Sequence, residues 1–149
     1  MKWRIGGGKM LLYQQALARA EDAHKGQVDK AGVAYIHHPL YVASLVEGKL
    51  AKTIALLHDV VEDSAWTLED LRMEGLPEEV VQSVGILTKN RDESYEEYLM
   101  HVKQNPLARQ VKLADLQHNS DLSRLANVTD RDRKRAEKYR QAIAFLSEE

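Results

Sequence analysis

The stretch Ile-Ala-Leu-Leu-His-Asp-Val-Val-Glu-Asp at residues 54–63 places four ionisable side chains inside and directly after an apolar run. Ile54 and His58 are four positions apart, so on a helix they share one face. Asp59 and Asp63 form a second such pair, turned about 100° from the first. A carboxylate beside a buried face costs several kcal/mol unless it is paired or bound to a metal. The stretch therefore predicts a helical fold with a polar partner or an ion near its core.

Apolar residues recur every three or four positions along the rest of the chain, and no stretch alternates convincingly with period two. This pattern predicts an all-α, single-domain bundle of roughly eight helices. The third helix is expected to continue through His58 to Val61. A later, longer helix is expected to carry Asp115 and to reach Leu125. Residues 27–36 fit either a loop or a brief strand.

Length and composition narrow the class of protein. The 149 residues suit one domain, with 44% hydrophobic and 30% charged residues and no cysteine. Thiolate metal sites and disulfides are thereby excluded. The formal net charge of -2 argues against a nucleic-acid partner, and the apolar runs are too short for a membrane span. We expect a cytoplasmic protein, and the oligomeric state stays open.

The amino terminus differs from the remainder of the chain. Three glycines at residues 6–8 precede Lys9, but Met10 follows where a phosphate-binding loop needs Ser or Thr. We therefore expect residues 1–9 to be a flexible leader and residues 10–149 to form the folded domain.

Two more polar groups interrupt apolar patterns. Asp115 lies four residues after Val111, on the same helical seam, and His37 and His38 precede Pro39. Any one of these residues alone would be read as a structural polar group. Taken with the pair at residues 58–59, they offer imidazoles and carboxylates from three helices. This ligand set suits Mn²⁺, Mg²⁺, Fe²⁺ or Zn²⁺ with positions left for water.

The acidic residues after the His-Asp pair add to this interpretation. A divalent ion of this kind can polarise a phosphoryl oxygen and activate water. Glu62 and Asp63 lie one turn beyond the candidate ligands, where they could orient that water or pass a proton. The joint pattern favours a hydrolytic metal centre.

The chain resembles the HD-domain metal-dependent phosphohydrolases, and more narrowly the Rel/SpoT-type hydrolase domain and the small alarmone hydrolases. The resemblance extends from about Ala20 to Leu125. It is carried by residues 24–27, 35–39, 56–63, 87–89 and 111–119.

The resemblance implies a role for each matching residue. It identifies the His directly before Pro as the first metal ligand, and Mn²⁺ as the ion. The implied ligands are His38, His58, Asp59 and Asp115.

The resemblance also implies a reaction. Glu62 and Asp63 match the acidic pair that handles the attacking water, and Asn119 and Tyr139 match residues on the substrate side. The implied reaction removes the 3′-pyrophosphate of (p)ppGpp and yields GDP or GTP and pyrophosphate.

The sequence departs from the family pattern on the substrate side. Asp29 stands where these hydrolases carry a basic residue that packs on the purine, and Ser120 and Asp121 stand where a basic residue is common. We expect Lys30 and Lys112 to supply local positive charge for a small-molecule nucleotide. An HD phosphatase for another nucleotide and a non-catalytic nucleotide-binding module are the alternatives.

Overall fold

The computed structural model describes residues 11–148, which fold into nine α-helices and one 3-10 helix. This confirms the all-α prediction. The leader at residues 1–9 and its glycine run lie outside the described residues. In chain order, the helices are α1 (Leu11–Ala23), α2 (His37–Leu45), α3 (Lys49–Leu57), α4 (Val60–Asp63), α5 (Leu68–Met73), α6 (Glu78–Leu87), α7 (Tyr95–Gln104), α8 (Pro106–Asn119), the 3-10 helix (Leu122–Arg124) and α9 (Asp130–Ser147).

Helix α3 occupies the centre of the bundle. It packs against α1, α2, α6 and α8, and its residues Ile54, Leu56 and Leu57 are completely buried. A helix that is apolar on nearly all sides needs neighbours on all sides. The carboxyl end of α3 therefore delivers the next residues, His58 and Asp59, into the interior. Among the described helices, none combines the length and apolar character that a membrane crossing requires.

Side-chain caps fix where several helices begin. Thr67 and Ser94 each accept a hydrogen bond from the amide three residues later, and the acidic side chain there bonds back to the cap amide. These capping boxes set the starts of α5 and α7. Asn105 caps α8 through the amide of Ala108, and Thr129 forms a further capping box on α9.

The third helix does not continue to Val61, so that prediction is wrong. Helix α3 ends at Leu57, and α4 begins at Val60. At the break, Nδ1 of His58 donates to the carbonyl of Ala55 at 2.6 Å. That oxygen is the one a continuous helix would offer to the amide of Asp59. The imidazole of His58 thus occupies the carbonyl that the next helical hydrogen bond would need, and the helix ends there.

The helix that carries Asp115 also stops before the predicted point. It ends at Asn119, and Asp121 then adopts an extended conformation. The carboxylate of Asp121 accepts from the amide of Ser123 and begins the 3-10 helix. An Asp that caps the following turn is a strong local signal for a new element. Leu125 therefore lies outside α8.

Residues 27–36 form a loop with one isolated antiparallel bridge between Val28 and Ala34. The carboxylate of Asp29 organises the turn by accepting from the amides of Ala31 and Val33. Gly32 has a φ of 80°, a conformation that glycine adopts without strain. The loop brings Tyr35 back toward the end of α3.

Candidate metal centre and adjoining cavity

Four side chains from separate segments converge at one end of α3. His38 comes from the start of α2, His58 and Asp59 from the break between α3 and α4, and Asp115 from α8. One ligand atom from each side chain lies within 4.8 Å of the other three. Nε2 of His38 lies 2.8 Å from Oδ1 of Asp115, and Nε2 of His58 lies 3.1 Å from Oδ2 of Asp59. The sequence-predicted ligand set is thus brought together in space.

The buried imidazole of His58 fits a metal ligand. Burial opposes the charged form of this ring, but Asp59 and Asp115 raise the pKa of His58 well above its usual value. Its Nδ1 donates to the carbonyl of Ala55, so Nε2 carries the proton that a bound ion would displace. Nε2 is buried, and within the described part of the chain it makes no well-aligned hydrogen bond, although carboxylate oxygens of Asp59 and Asp115 lie 3.1 and 3.4 Å away. A buried polar atom without a partner costs about 1–3 kcal/mol. A cation among the four side chains would remove this cost, and the nitrogen and oxygen donors suit a divalent ion.

Asp115 is the most strongly supported carboxylate of the group. Lys112 donates to its Oδ2 at 3.1 Å, and the side-chain amide of Asn119 donates to its Oδ1 at 2.9 Å. Burial alone would raise the pKa of Asp115, but the Lys112 ammonium and the two imidazoles hold it well below its usual range. Asp115 is therefore an anion at neutral pH, as a metal ligand must be.

Asp59 is supported from the opposite side. The hydroxyl of Tyr35 donates to Oδ2 of Asp59 at 2.5 Å. Burial works against ionisation, yet His58 and this hydrogen bond lower the pKa of the Asp59 carboxyl. Burial and the Asp59 charge raise the pKa of Tyr35, so its hydroxyl remains a donor. Tyr35 thus orients Asp59 toward the cluster.

His118 lies behind His38, on the side away from Asp115. The two Nδ1 atoms are 2.7 Å apart, and the rings are nearly parallel, with an interplanar angle of 10°. Burial and the charge of Arg124 lower the pKa of His118 to about 4. The neutral ring of His118 can accept a hydrogen bond from the protonated Nδ1 of His38. In that tautomer, Nε2 of His38 carries the lone pair and can bind a metal ion.

Glu62 and Asp63 lie at the surface end of α4, beside the cluster. Partial desolvation and the negative charge of Asp59 raise the pKa of both carboxyls above their usual values. Gln27 donates to the backbone carbonyl of Asp63 at 3.0 Å and ties α4 to the first loop. Because their pKa values are raised, these two carboxylates can accept a proton more readily than carboxylates with ordinary pKa values can.

A cavity of about 310 Å³ opens next to the four side chains. Tyr35 and Asn119 line its wall and also bond to Asp59 and Asp115, so these two side chains connect the cavity with the cluster. Lys30 and Tyr139 line the cavity as well. Three of the four side chains predicted to contact substrate therefore surround one space.

Lys112 is the fourth predicted substrate contact, and it is placed differently. Its ammonium group donates a hydrogen bond to Asp115 and lies 5.3 Å from the ring centre of Tyr98. Its role as a substrate contact stays a prediction. Sequence reasoning assigned no role to Tyr35 or His118. His118 follows Asp115 by three positions, so helical spacing was the signal that could have found it.

Several known proteins are similar to this chain in sequence or in fold. No model of a known protein family matches the chain. The chain is 39% identical over 122 residues to the bifunctional (p)ppGpp synthase/hydrolase SpoT of Escherichia coli. It is 34% identical over 114 residues to a guanosine-3′,5′-bis(diphosphate) 3′-pyrophosphohydrolase of Haemophilus influenzae. These matches cover 71% and 67% of this chain, and each spans 17% of the relative.

A solved structure shares the fold. It belongs to a protein described as a metazoan ortholog of SpoT that hydrolyzes ppGpp and plays a role in starvation responses. The TM-score is 0.75 at 21% sequence identity, and the match covers 96% of this chain and 88% of the other. The helical arrangement around the candidate centre is therefore that of a known fold.

Proposed function

We propose that this chain, which belongs to the HD-type Rel/SpoT hydrolase family, is a metal-dependent phosphohydrolase that removes pyrophosphate from the 3′ position of an alarmone such as ppGpp. The observation that carries the proposal is the convergence of two imidazoles and two carboxylates within 4.8 Å, near a cavity of about 310 Å³ that Lys30, Asn119 and Tyr139 line. The relatives named as ppGpp 3′-pyrophosphohydrolases support the substrate class.

The residues proposed to hold the ion are His38, His58, Asp59 and Asp115. When bound, a divalent ion would polarise a phosphoryl oxygen and lower the pKa of water. Mn²⁺ is our proposed ion, with Mg²⁺, Fe²⁺ and Zn²⁺ as alternatives. Lys112 and Asn119 keep Asp115 charged and oriented, and Tyr35 does the same for Asp59.

The proton-transfer step falls to the acidic pair. The carboxylate of Glu62 or Asp63 takes a proton from the attacking water as the water oxygen bonds to the phosphorus. The bond from phosphorus to the 3′ oxygen then breaks, and the 3′ oxygen gains a proton. A pKa above the usual range makes each of the two carboxylates a better proton acceptor for this exchange. Asn119, Lys30 and Tyr139 are the proposed contacts for the nucleotide.

The direct test incubates the protein with ppGpp and a panel of nucleotides in the presence of Mn²⁺, Mg²⁺, Fe²⁺ or Zn²⁺. We expect pyrophosphate release from ppGpp. Asp59→Ala should lose both metal binding and activity, whereas Glu62→Ala should bind metal and lose rate. Glu96→Ala, a change at an exposed glutamate on α7, is the matched control. Absence of pyrophosphate release with all four ions would refute the proposal.

A second candidate is a phosphatase for another nucleotide, since an acidic residue, Asp29, lines the cavity. Product analysis separates the two, because this activity releases orthophosphate instead of pyrophosphate. A non-catalytic nucleotide-binding module would bind nucleotide without releasing either product. A cytoplasmic location remains part of the proposal.

A further inference from the structure

We propose that Arg124 presents the flat face of its guanidinium group to the nucleobase of the substrate, and that Asp29 holds this group in position. The inference deepens the proposed function, since it rests on a nucleotide occupying the cavity beside the candidate metal centre. It identifies a specificity-determining residue on the 3-10 helix, an element with no other assigned role.

Asp29 and Arg124 form a fixed pair although they lie 95 positions apart. Nη1 of Arg124 donates to Oδ2 of Asp29 at 3.3 Å. The other carboxylate oxygen of Asp29 accepts from the amides of Ala31 and Val33 at 2.8 and 3.0 Å. The loop thus orients the carboxylate, and the carboxylate orients the guanidinium. Asp29 is a positioning residue in this arrangement.

The pair lies at the boundary between two hollows. Both residues line the 310 Å³ cavity that contains Tyr35 and Asn119. Both also line a second hollow, on the side of His38 and His118. A pair that borders both spaces forms the partition between them. The guanidinium group therefore stands at the wall of the cavity that adjoins the candidate metal centre.

The chemistry of this wall favours a base over a phosphate. The hydrogen bond to Asp29 uses the edge of the guanidinium group and leaves its faces available for stacking. Pairing with a carboxylate also weakens the attraction that Arg124 exerts on an anion. Leu122, Leu125 and Tyr139 line the same cavity, which suits a flat and largely uncharged ring.

The other cations of the cavity are paired in the same way. Arg135 donates to Asp132 at 2.6 Å, and Lys30 lies 4.0 Å from the same carboxylate. The lining therefore holds its positive charges next to negative ones. A base that stacks on Arg124 gains affinity without requiring net positive charge in the cavity.

The arrangement also accounts for a departure from the family pattern. An acidic residue stands at position 29, where the family resemblance implies a basic one. In this chain Arg124, on the 3-10 helix, supplies a cation to the cavity that Asp29 also lines. The acid at position 29 then serves to hold it.

The test measures binding of GDP, a nucleoside diphosphate that requires no turnover, by calorimetry with the Mn²⁺-loaded protein. Arg124→Ala should weaken binding about two- to thirty-fold. Arg124→Gln keeps a flat group without charge, and Arg124→Lys keeps the charge without a flat group. We expect Gln to preserve more affinity than Lys. Arg140→Ala, which removes an exposed arginine paired with Glu137, should leave binding unchanged.

The positioning role of Asp29 has its own readout. Asp29→Asn keeps an oxygen for the loop amides and removes the charge. It should weaken GDP binding less than Arg124→Ala does, and it should add nothing when the two changes are combined. Additive losses would overturn the positioning role.

Two results would overturn the role of Arg124. One is an unchanged dissociation constant in all three Arg124 variants. The other is a higher GDP affinity of Arg124→Lys than of Arg124→Gln, which would identify a phosphate contact instead. If GDP binding depends on Arg124 as expected while ppGpp is not hydrolysed, the proposed function fails and this inference stands.

Discussion

The imidazole rings of His38 and His118 lie parallel, with centroids 5.0 Å apart and Nδ1 atoms 2.7 Å apart. At this distance one nitrogen donates and the other accepts. When Nε2 of His38 serves as a metal ligand, Nδ1 of the same ring carries the proton, and His118 is its acceptor. Partners of this kind orient a ligand and are typically worth 10- to 100-fold in metal affinity.

We predict that His118→Leu weakens Mn²⁺ binding about 10- to 100-fold. His118→Gln retains an acceptor and should lose much less. Competition with a chelating dye measures the affinity directly, without any assay of activity. The matched control is His101→Leu, because His101 is exposed and pairs with Glu93, away from the centre. Equal affinities in the Leu and Gln variants would exclude the orienting role.

We predict that a divalent ion stabilises the folded protein. Among residues 11–148, no group makes a well-aligned hydrogen bond to the buried Nε2 of His58, and an ion would bind this atom together with the nearby carboxylates. At an ion concentration 100 times the dissociation constant, the gain is about 2.7 kcal/mol. The midpoint of thermal unfolding should therefore rise with Mn²⁺ and fall with EDTA. Asp59→Asn should abolish this response, whereas Asp92→Asn, at an exposed loop position, should keep it. An unchanged midpoint in the wild type would count against an ion site.

We predict that kcat/KM falls as the pH drops through the raised pKa of Glu62, because only the deprotonated carboxylate can accept a proton. Partial desolvation and the negative charges of Asp59 and Asp63 raise this pKa. Asp63→Asn removes one of those charges, so the pKa of Glu62 should decrease. The acidic limb of the pH profile should then move to lower pH, even if the maximal rate also falls. A limb that stays in place would show that Glu62 does not control it.

Helix α5 lies away from the candidate metal centre and allows a test of how core packing contributes to stability. Leu71 is completely buried, whereas Met73 on the same helix is 69% exposed. Leu71→Ala should lower the free energy of unfolding by about 2–5 kcal/mol, and Met73→Ala by less than about 1 kcal/mol. Urea denaturation measures both changes. Similar losses at the two positions would contradict this packing.

The helical class was predictable because it depends on local spacing, whereas the full set of four candidate ligands came from the family resemblance. Capping boxes at Thr67 and Ser94 involve residues three positions apart, so they are readable from the sequence. The ligand prediction used polar residues that interrupt apolar stripes, and such residues need a partner wherever the chain takes them.

The helix ends around the site were not predictable in the same way. The break after Leu57 arises because the side chain of His58 hydrogen-bonds to the carbonyl of Ala55. Hydrophobic periodicity contains no information about such a bond. The pairing of Asp29 with Arg124 joins residues 95 positions apart, and no local pattern signals it. Contacts of this kind depend on how the helices pack.

The spacing of the candidate ligands along the chain has a consequence for folding. His38, His58 and Asp115 come from distant positions, and their ligand atoms meet within 4.8 Å. An ion bound to them would join two large loops of the folded chain, and its binding free energy would offset part of the chain entropy that opposes folding. Secreted domains often obtain such a cross-link from disulfides. This chain has no cysteine, and its imidazole and carboxylate groups would provide a reversible cross-link set by the supply of metal.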